Sequence, residues 1–139
     1  MKERHTDEEL YARTLRALKR GRFPGDFSVK LRMCASTSGE KVLDIGCGTG
    51  WFAAAVAVQY EAEVLGIDAS EYAINEARKR YGDINHLDFQ VCDALLIQHK
   101  QAFDKISCLD VLEHFSYEDA QSLLKKIHTA LREGGSLVL

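Results

Sequence analysis

The stretch VLDIGCGTGW, residues 42–51, decides the fold. Val42, Leu43, Asp44 and Ile45 run into glycines at every second position, Gly46, Gly48 and Gly50, and the bulky Trp51 closes the series. Without Cβ atoms, a chain leaving an apolar strand through such a turn can take left-handed dihedrals and approach another group closely. An Ala-rich segment from Thr49 to Tyr60 reads as a buried helix, and its first unpaired N–H groups aim at the same spot as the glycines.

Outward from this loop the chain alternates. KVLDI (41–45), EVLGID (63–68), LDFQV (87–91), FDKISCL (103–109) and SLVL (136–139) read as short strands. Ser70 caps EYAINEARKRY, a helix with Ile74, Ala77 and Tyr81 on one face. Ser116 to Asp119 forms a capping box, opening a helix predicted to carry Leu123, Leu124, Ile127 and Leu131 inward and to stop at Gly134 and Gly135. Strand and helix in alternation predict an α/β fold, a doubly wound parallel sheet with helices on both faces. In such sheets ligands bind at the carboxyl ends of the strands, where the strand order reverses, and the glycine loop leads into that crevice.

Composition limits what the loop can serve. The 139 residues, 46% of them hydrophobic, suit one domain with a genuine core. No apolar run nears the roughly 20 residues that cross a bilayer, and MKERHTDEEL has no apolar block behind its charges, so a cytoplasmic protein with no membrane partner is expected. Cys34, Cys47, Cys92 and Cys108 form no CxxC pair and the histidines do not cluster with them, so the thiols are read as reduced and no metal is expected. A net charge of −3 argues against tight non-specific attachment to nucleic acid.

Residues 1–32 carry nine Lys or Arg against five Asp or Glu. Thr6 and Glu9 read as a capping box whose helix ends in Arg16, Lys19, Arg20 and Arg22, a charge order that suits the helix dipole; the alternative is a patch attracting an anionic substrate. Pro24 and Gly25 mark a turn before a second short helix within DFSVKLRMCAS. Residues 1–36 are taken as an N-terminal helical segment and 37–139 as the core. Tyr11, Phe23 and Phe27 place that segment either as a lid over the site or packed against the sheet.

The spacing of the glycines separates two ligand classes. A dinucleotide fingerprint, G-x-G-x-x-G, needs a small residue at position 51, where Trp51 stands, so NAD is disfavoured. Asp44 suits a ligand with an ammonium group better than one with a pyrophosphate, which it would repel.

LDIGCGTG resembles the first motif, D-x-G-x-G-x-G, of the class I S-adenosylmethionine-dependent methyltransferases. The resemblance extends over residues 41–139 and implies a Rossmann-like core with strand order 3-2-1-4-5 and S-adenosylmethionine as cofactor. By the same resemblance Asp44, Gly46, Cys47, Gly48 and Gly50 belong to the cofactor loop. Asp68, followed by Ala69 in GIDAS, would accept from both ribose hydroxyls. Asp93 in VCDA would receive the adenine amino group, with Ala94 beside the ring. In FDKISCLDVLEHF, Leu109 and Asp110 would border the methionine part, and LREGGSLVL is similar to the family's helix end, glycine turn and fifth strand.

A sulfonium methyl is already activated, so such an enzyme chiefly aligns nucleophile, carbon and sulfur. A hydroxyl acceptor would gain from a general base, for which His114 in DVLEHF is the candidate; the alternative is that it packs or caps the next helix. The family's usual last two strands are absent, which reads as a fragment or a shortened chain whose open fifth strand would pair with a second copy into a homodimer. The expected function is methyl transfer to a small-molecule acceptor. A non-catalytic cofactor-binding or partner module and an NAD-dependent oxidoreductase stand as alternatives.

Overall fold

Strand β1 (Lys41–Ile45) is exposed at Lys41 and buried from Val42 through Ile45, the pattern of a strand covered on both faces. The computed structural model that shows this describes Arg16, Ala17, Arg20 and residues 25–139, without the side chains of 25–27. The capping box at Thr6 to Glu9, and Tyr11, Phe23 and the Phe27 side chain, lie outside that description. β1 pairs in parallel with β2 (Glu63–Asp68) on one side and β4 (Phe103–Ser107) on the other. β3 (Leu87–Val91) lies beyond β2, and β5 (Leu131–Val138) beyond β4, giving the order β3-β2-β1-β4-β5. This is the expected order, and it reverses between β1 and β4, the point at which sheets of this kind bind ligands beyond the carboxyl ends of their strands.

Side chains of a strand alternate between faces, and each face has its own helices. Val42, Val64 and Phe89 pack with helices α1 (Gly25–Met33), α2 (Trp51–Tyr60) and α3 (Glu71–Tyr81), while Leu43, Ile45, Ile67 and Ile106 pack with α4 (Tyr117–Ala130). Burying each such side chain contributes about 1.5–3 kcal/mol, so the glycine loop springs from a firmly held strand. α2 is buried from Phe52 through Ala57, where small alanines let it lie close to the sheet. It starts at Trp51 rather than Thr49, because Gly50 has φ 87° and cannot belong to a right-handed helix. α3 starts as predicted, with Ser70 Oγ accepting from Ala73 N at 3.2 Å, and buries Ala73, Ile74, Ala77 and Tyr81. The segment DFSVKLRMCAS does hold a helix, α1, which is tied to α2 by Tyr60 donating its hydroxyl to the Leu31 carbonyl at 3.1 Å.

Three further boundaries depart from expectation. The capping box of α4 forms, Ser116 Oγ accepting from Asp119 N at 3.1 Å, and Leu123 and Ile127 are buried; Leu124 is more than a third exposed, and Leu131 lies outside the helix. One residue on a helix turns the side chain by about 100°, which carries Leu124 off the buried face. β5 accordingly begins at Leu131 rather than Ser136, and its pairing jumps from Phe103↔Leu131 to Lys105↔Ser136 across a bulge in which Gly134 has φ 76°. β4 ends at Ser107 rather than Leu109, since Asp110 takes φ 54° and turns the chain out of the sheet. Between β3 and β4 the only helical element is a 3₁₀ turn, Ala94–Leu96. No helix among the described residues is long and apolar enough to cross a membrane.

Candidate functional site

The glycine loop is pinned at its two ends and open in its middle. At Gly46, φ 69°, a Cβ would collide with Cγ2 of Val111, which follows β4. At Gly50 a Cβ would stand 2.6 Å from Cζ of Phe89 and 2.9 Å from Cβ of Ala77. Gly48, φ 54°, is different: a Cβ there would meet nothing within 4 Å. Its N–H donates to Asp68 Oδ2 at 2.9 Å, and Ser70 N donates to Asp68 Oδ1 at 2.8 Å, so one carboxylate at the end of β2 ties the loop to the start of α3. A carboxylate offers about four acceptor directions, which leaves Asp68 capacity for two further donors. Cys47 continues the pairing with β2, its N–H donating to the Ile67 carbonyl at 2.9 Å, and its thiol turns inward beneath the loop.

Below the loop the β1–β4 register sets Asp44 beside Ser107. Ser107 Oγ donates to Asp44 Oδ1 at 2.7 Å, and both residues are sealed, at 3% and 0% exposure. Burial pushes the Asp44 carboxyl from an ordinary 3.8 up to about 7; the Ser107 hydroxyl acts against this, and the charge of Asp68 adds to it. Burial likewise pushes Cys34 and Cys108 up to about 11 and Cys47 up to about 12, with the Asp44 charge next in each case. These thiols are free but are no nucleophiles at neutral pH.

The remaining expected residues lie on the same rim, after the carboxyl ends of β2, β3 and β4. Ala69 is exposed between Asp68 and Ser70. Asp93 is exposed and its Oδ1 accepts from Leu95 N at 2.9 Å, capping the turn that holds half-buried Ala94. Leu109 is half-buried; Asp110 is exposed and its Oδ2 lies 3.1 Å from the Lys30 ammonium of α1. His114 is exposed in a second 3₁₀ turn, Leu112–His114. Among the described residues no cluster of His, Cys, Asp or Glu is arranged to hold a metal.

Four contributors were not foreseen: Ser107 under Asp44, Val111 and Phe89 against the glycines, and Lys30 on Asp110. Only Ser107 left a trace in the sequence, as the lone hydroxyl in the apolar end of FDKISCL. The arrangement can hold hydroxyl and amine donors on a row of carboxylates beside bare backbone. It contains no activated nucleophile.

Fold and site together define an α/β protein with a doubly wound parallel sheet and a glycine loop after its first strand. The chain belongs to the methyltransferase domain family, whose model matches residues 42–135, and within it to the class I S-adenosylmethionine-dependent enzymes. It is 34% identical over 102 residues to the ubiquinone biosynthesis O-methyltransferase of Idiomarina loihiensis, covering 71% of this chain and 41% of that one. The structure of a TehB-like SAM-dependent methyltransferase from Corynebacterium glutamicum superposes with a TM-score of 0.70 at 26% identity, over 93% of this chain and 69% of the other. Phosphoethanolamine N-methyltransferase 2 of Haemonchus contortus, solved in complex with S-adenosyl-L-methionine, gives a TM-score of 0.67 at 26% identity, over 91% of this chain and 27% of its own. The chain thus spans less than half the length of the curated relative, and one relative is named for transfer to oxygen, the other for transfer to nitrogen.

Proposed function

We propose that the chain binds S-adenosylmethionine across the carboxyl ends of β1 to β4 and serves transfer of its methyl group to a small-molecule acceptor. The open side of Gly48, bonded through its N–H to Asp68, carries this reading. A ligand can lie against bare backbone there, with its ribose hydroxyls donating to the two free directions of Asp68. Asp93 and Ala94, after β3, receive the adenine, and the loop from Leu109 to Asp110 borders the methionine end above Asp44. The residues present fit the cofactor: an open glycine, an acid with spare acceptor capacity and a sealed acid with no cation on it among the described residues all suit a nucleoside carrying an ammonium group.

The cofactor supplies a methyl already activated by its sulfonium. What the protein contributes is alignment and exclusion of water. His114 is placed after β4 on the ligand side and acts as general base where the acceptor is a hydroxyl. α1, joined to the Asp110 loop through Lys30, closes one flank of the site.

Calorimetric titration with S-adenosylhomocysteine tests the binding mode. The wild-type chain should bind with 1:1 stoichiometry, and Asp68→Ala should weaken binding at least about tenfold, the worth of one or two charge-assisted hydrogen bonds. Unchanged affinity in a folded Asp68→Ala variant overturns the proposed seat.

A further inference from the structure

Asp44 is a carboxylate sealed from water; among the described residues its side chain has one hydrogen-bond partner, the Ser107 hydroxyl, and no ion pair. Among the described residues the titratable groups that act on it or feel its charge are Asp68 at the end of β2, Cys47 in the loop, Cys108 after β4 and Cys34 after α1, all acids or thiols. Lys105 acts on Cys34 rather than on Asp44, since its ammonium is taken by the Ala35 carbonyl and by Glu40 at 3.5 Å. A buried carboxylate without a cation must keep its proton or acquire a positive partner. The protein holds both options open at this position.

We propose that Ser107 is a positioning residue for the cofactor-binding step: its hydroxyl holds Asp44 ready to ionise, so that uptake of an ammonium-bearing ligand releases a proton from Asp44 and strengthens as pH rises. The inference rests on the reading that the ligand's amino group meets Asp44. On binding, the O–H bond of the protonated Asp44 breaks, the proton passes to the buffer, and the carboxylate accepts a hydrogen bond from the ligand ammonium. Ser107 donates to the same carboxylate throughout.

The sign follows from linkage. In the free protein Asp44 titrates at about 7, and a bound cation lowers that point. Below neutral pH the ligand must therefore displace a proton, and its affinity climbs with pH; above neutral pH the acid is already ionised and the affinity levels off.

The test is calorimetric titration of S-adenosylhomocysteine from about pH 5.5 to about 8, repeated in two buffers of different ionisation enthalpy to count protons. Wild-type affinity should rise up to about tenfold per pH unit below neutrality, and on the order of half a proton should be released near pH 7. Ser107→Ala should move the rise to higher pH and weaken binding several-fold at neutral pH, with Ser107→Thr restoring both. Asp44→Asn should bind weakly with a flat profile. A flat wild-type profile without proton release, a Ser107→Ala profile superimposable on wild type, or a pH dependence that survives Asp44→Asn overturns the coupling while leaving the cofactor seat intact. Absence of binding by the folded wild-type chain at every pH overturns the seat itself and the coupling with it. The proton count on the wild type needs no variant, so it decides even if Ser107→Ala fails to fold.

Discussion

Gly46 and Val111 touch so closely that a methyl group on the glycine has no room beside Cγ2 of the valine. The contact joins the end of β1 to the segment after β4, across the point where the strand order reverses. Gly46→Ala should therefore cost about 1–2 kcal/mol for the left-handed backbone and more for the overlap. Val111→Ala alone should cost about 1 kcal/mol as a half-buried truncation. Combined, the two changes should destabilise less than their sum by at least about 0.5 kcal/mol. Urea unfolding of the four proteins measures the cycle, and strict additivity would show that the two residues do not share the contact.

Gly48 should behave in the opposite way. Its Cβ position is open, so Gly48→Ala pays only backbone strain, about 1–2 kcal/mol. The added methyl would stand where the ligand approaches, and S-adenosylhomocysteine affinity should fall by more than about tenfold. Gly50→Ala forces Phe89 and Ala77 apart and should show mainly a loss of stability. Thermal unfolding beside calorimetry separates the two; equal affinity losses at equal stability would contradict the assignment of Gly48 as the ligand-facing glycine.

What was legible in the sequence was whatever local pattern dictates. Apolar runs bounded by turns gave the five strands, Ser70 and Ser116 gave two helix starts, and the glycine spacing gave the loop. The register was not legible, and with it went the Asp44–Ser107 pair, because only the parallel pairing of β1 with β4 sets residues 63 positions apart side by side. Leu131 and Leu124 were misplaced for a related reason. A helical apolar spacing continues past Ala130, but pairing with Phe103 draws Leu131 into the sheet, and tertiary contacts override local preference. Asp110 gave no sign of its left-handed backbone, which Lys30 accompanies from a helix 80 positions earlier.

Asp44 should also leave a mark on stability. Its carboxyl binds protons more tightly folded than unfolded, so the stability it contributes is full below about 3.8 and is lost as pH rises through about 7. The ionisation points differ by enough to cost on the order of 4 kcal/mol at neutral pH, as an upper bound. Asp44→Asn, which cannot ionise, should therefore unfold at higher temperature than wild type at pH 8 and show no such advantage at pH 4. Scanning calorimetry of the ligand-free proteins measures this. A variant less stable than wild type at both pH values would mean that the carboxylate finds a compensating partner, and it would remove the reason for its ionisation to follow ligand uptake.

His114 carries the chemical prediction. It stands exposed on a 3₁₀ turn after β4 and is not one of the acids proposed to hold the nucleoside, so its loss should spare cofactor binding. With a hydroxyl acceptor that the wild type methylates, His114→Gln should lower kcat by about 10²–10⁴, the usual worth of a positioned base, while S-adenosylhomocysteine affinity changes less than about twofold. With an amine acceptor already deprotonated in solution the same substitution should matter little. Steady-state rates decide it: a hydroxyl acceptor turned over by His114→Gln at the wild-type rate leaves His114 as a surface residue and moves the base, if one operates, to another side chain.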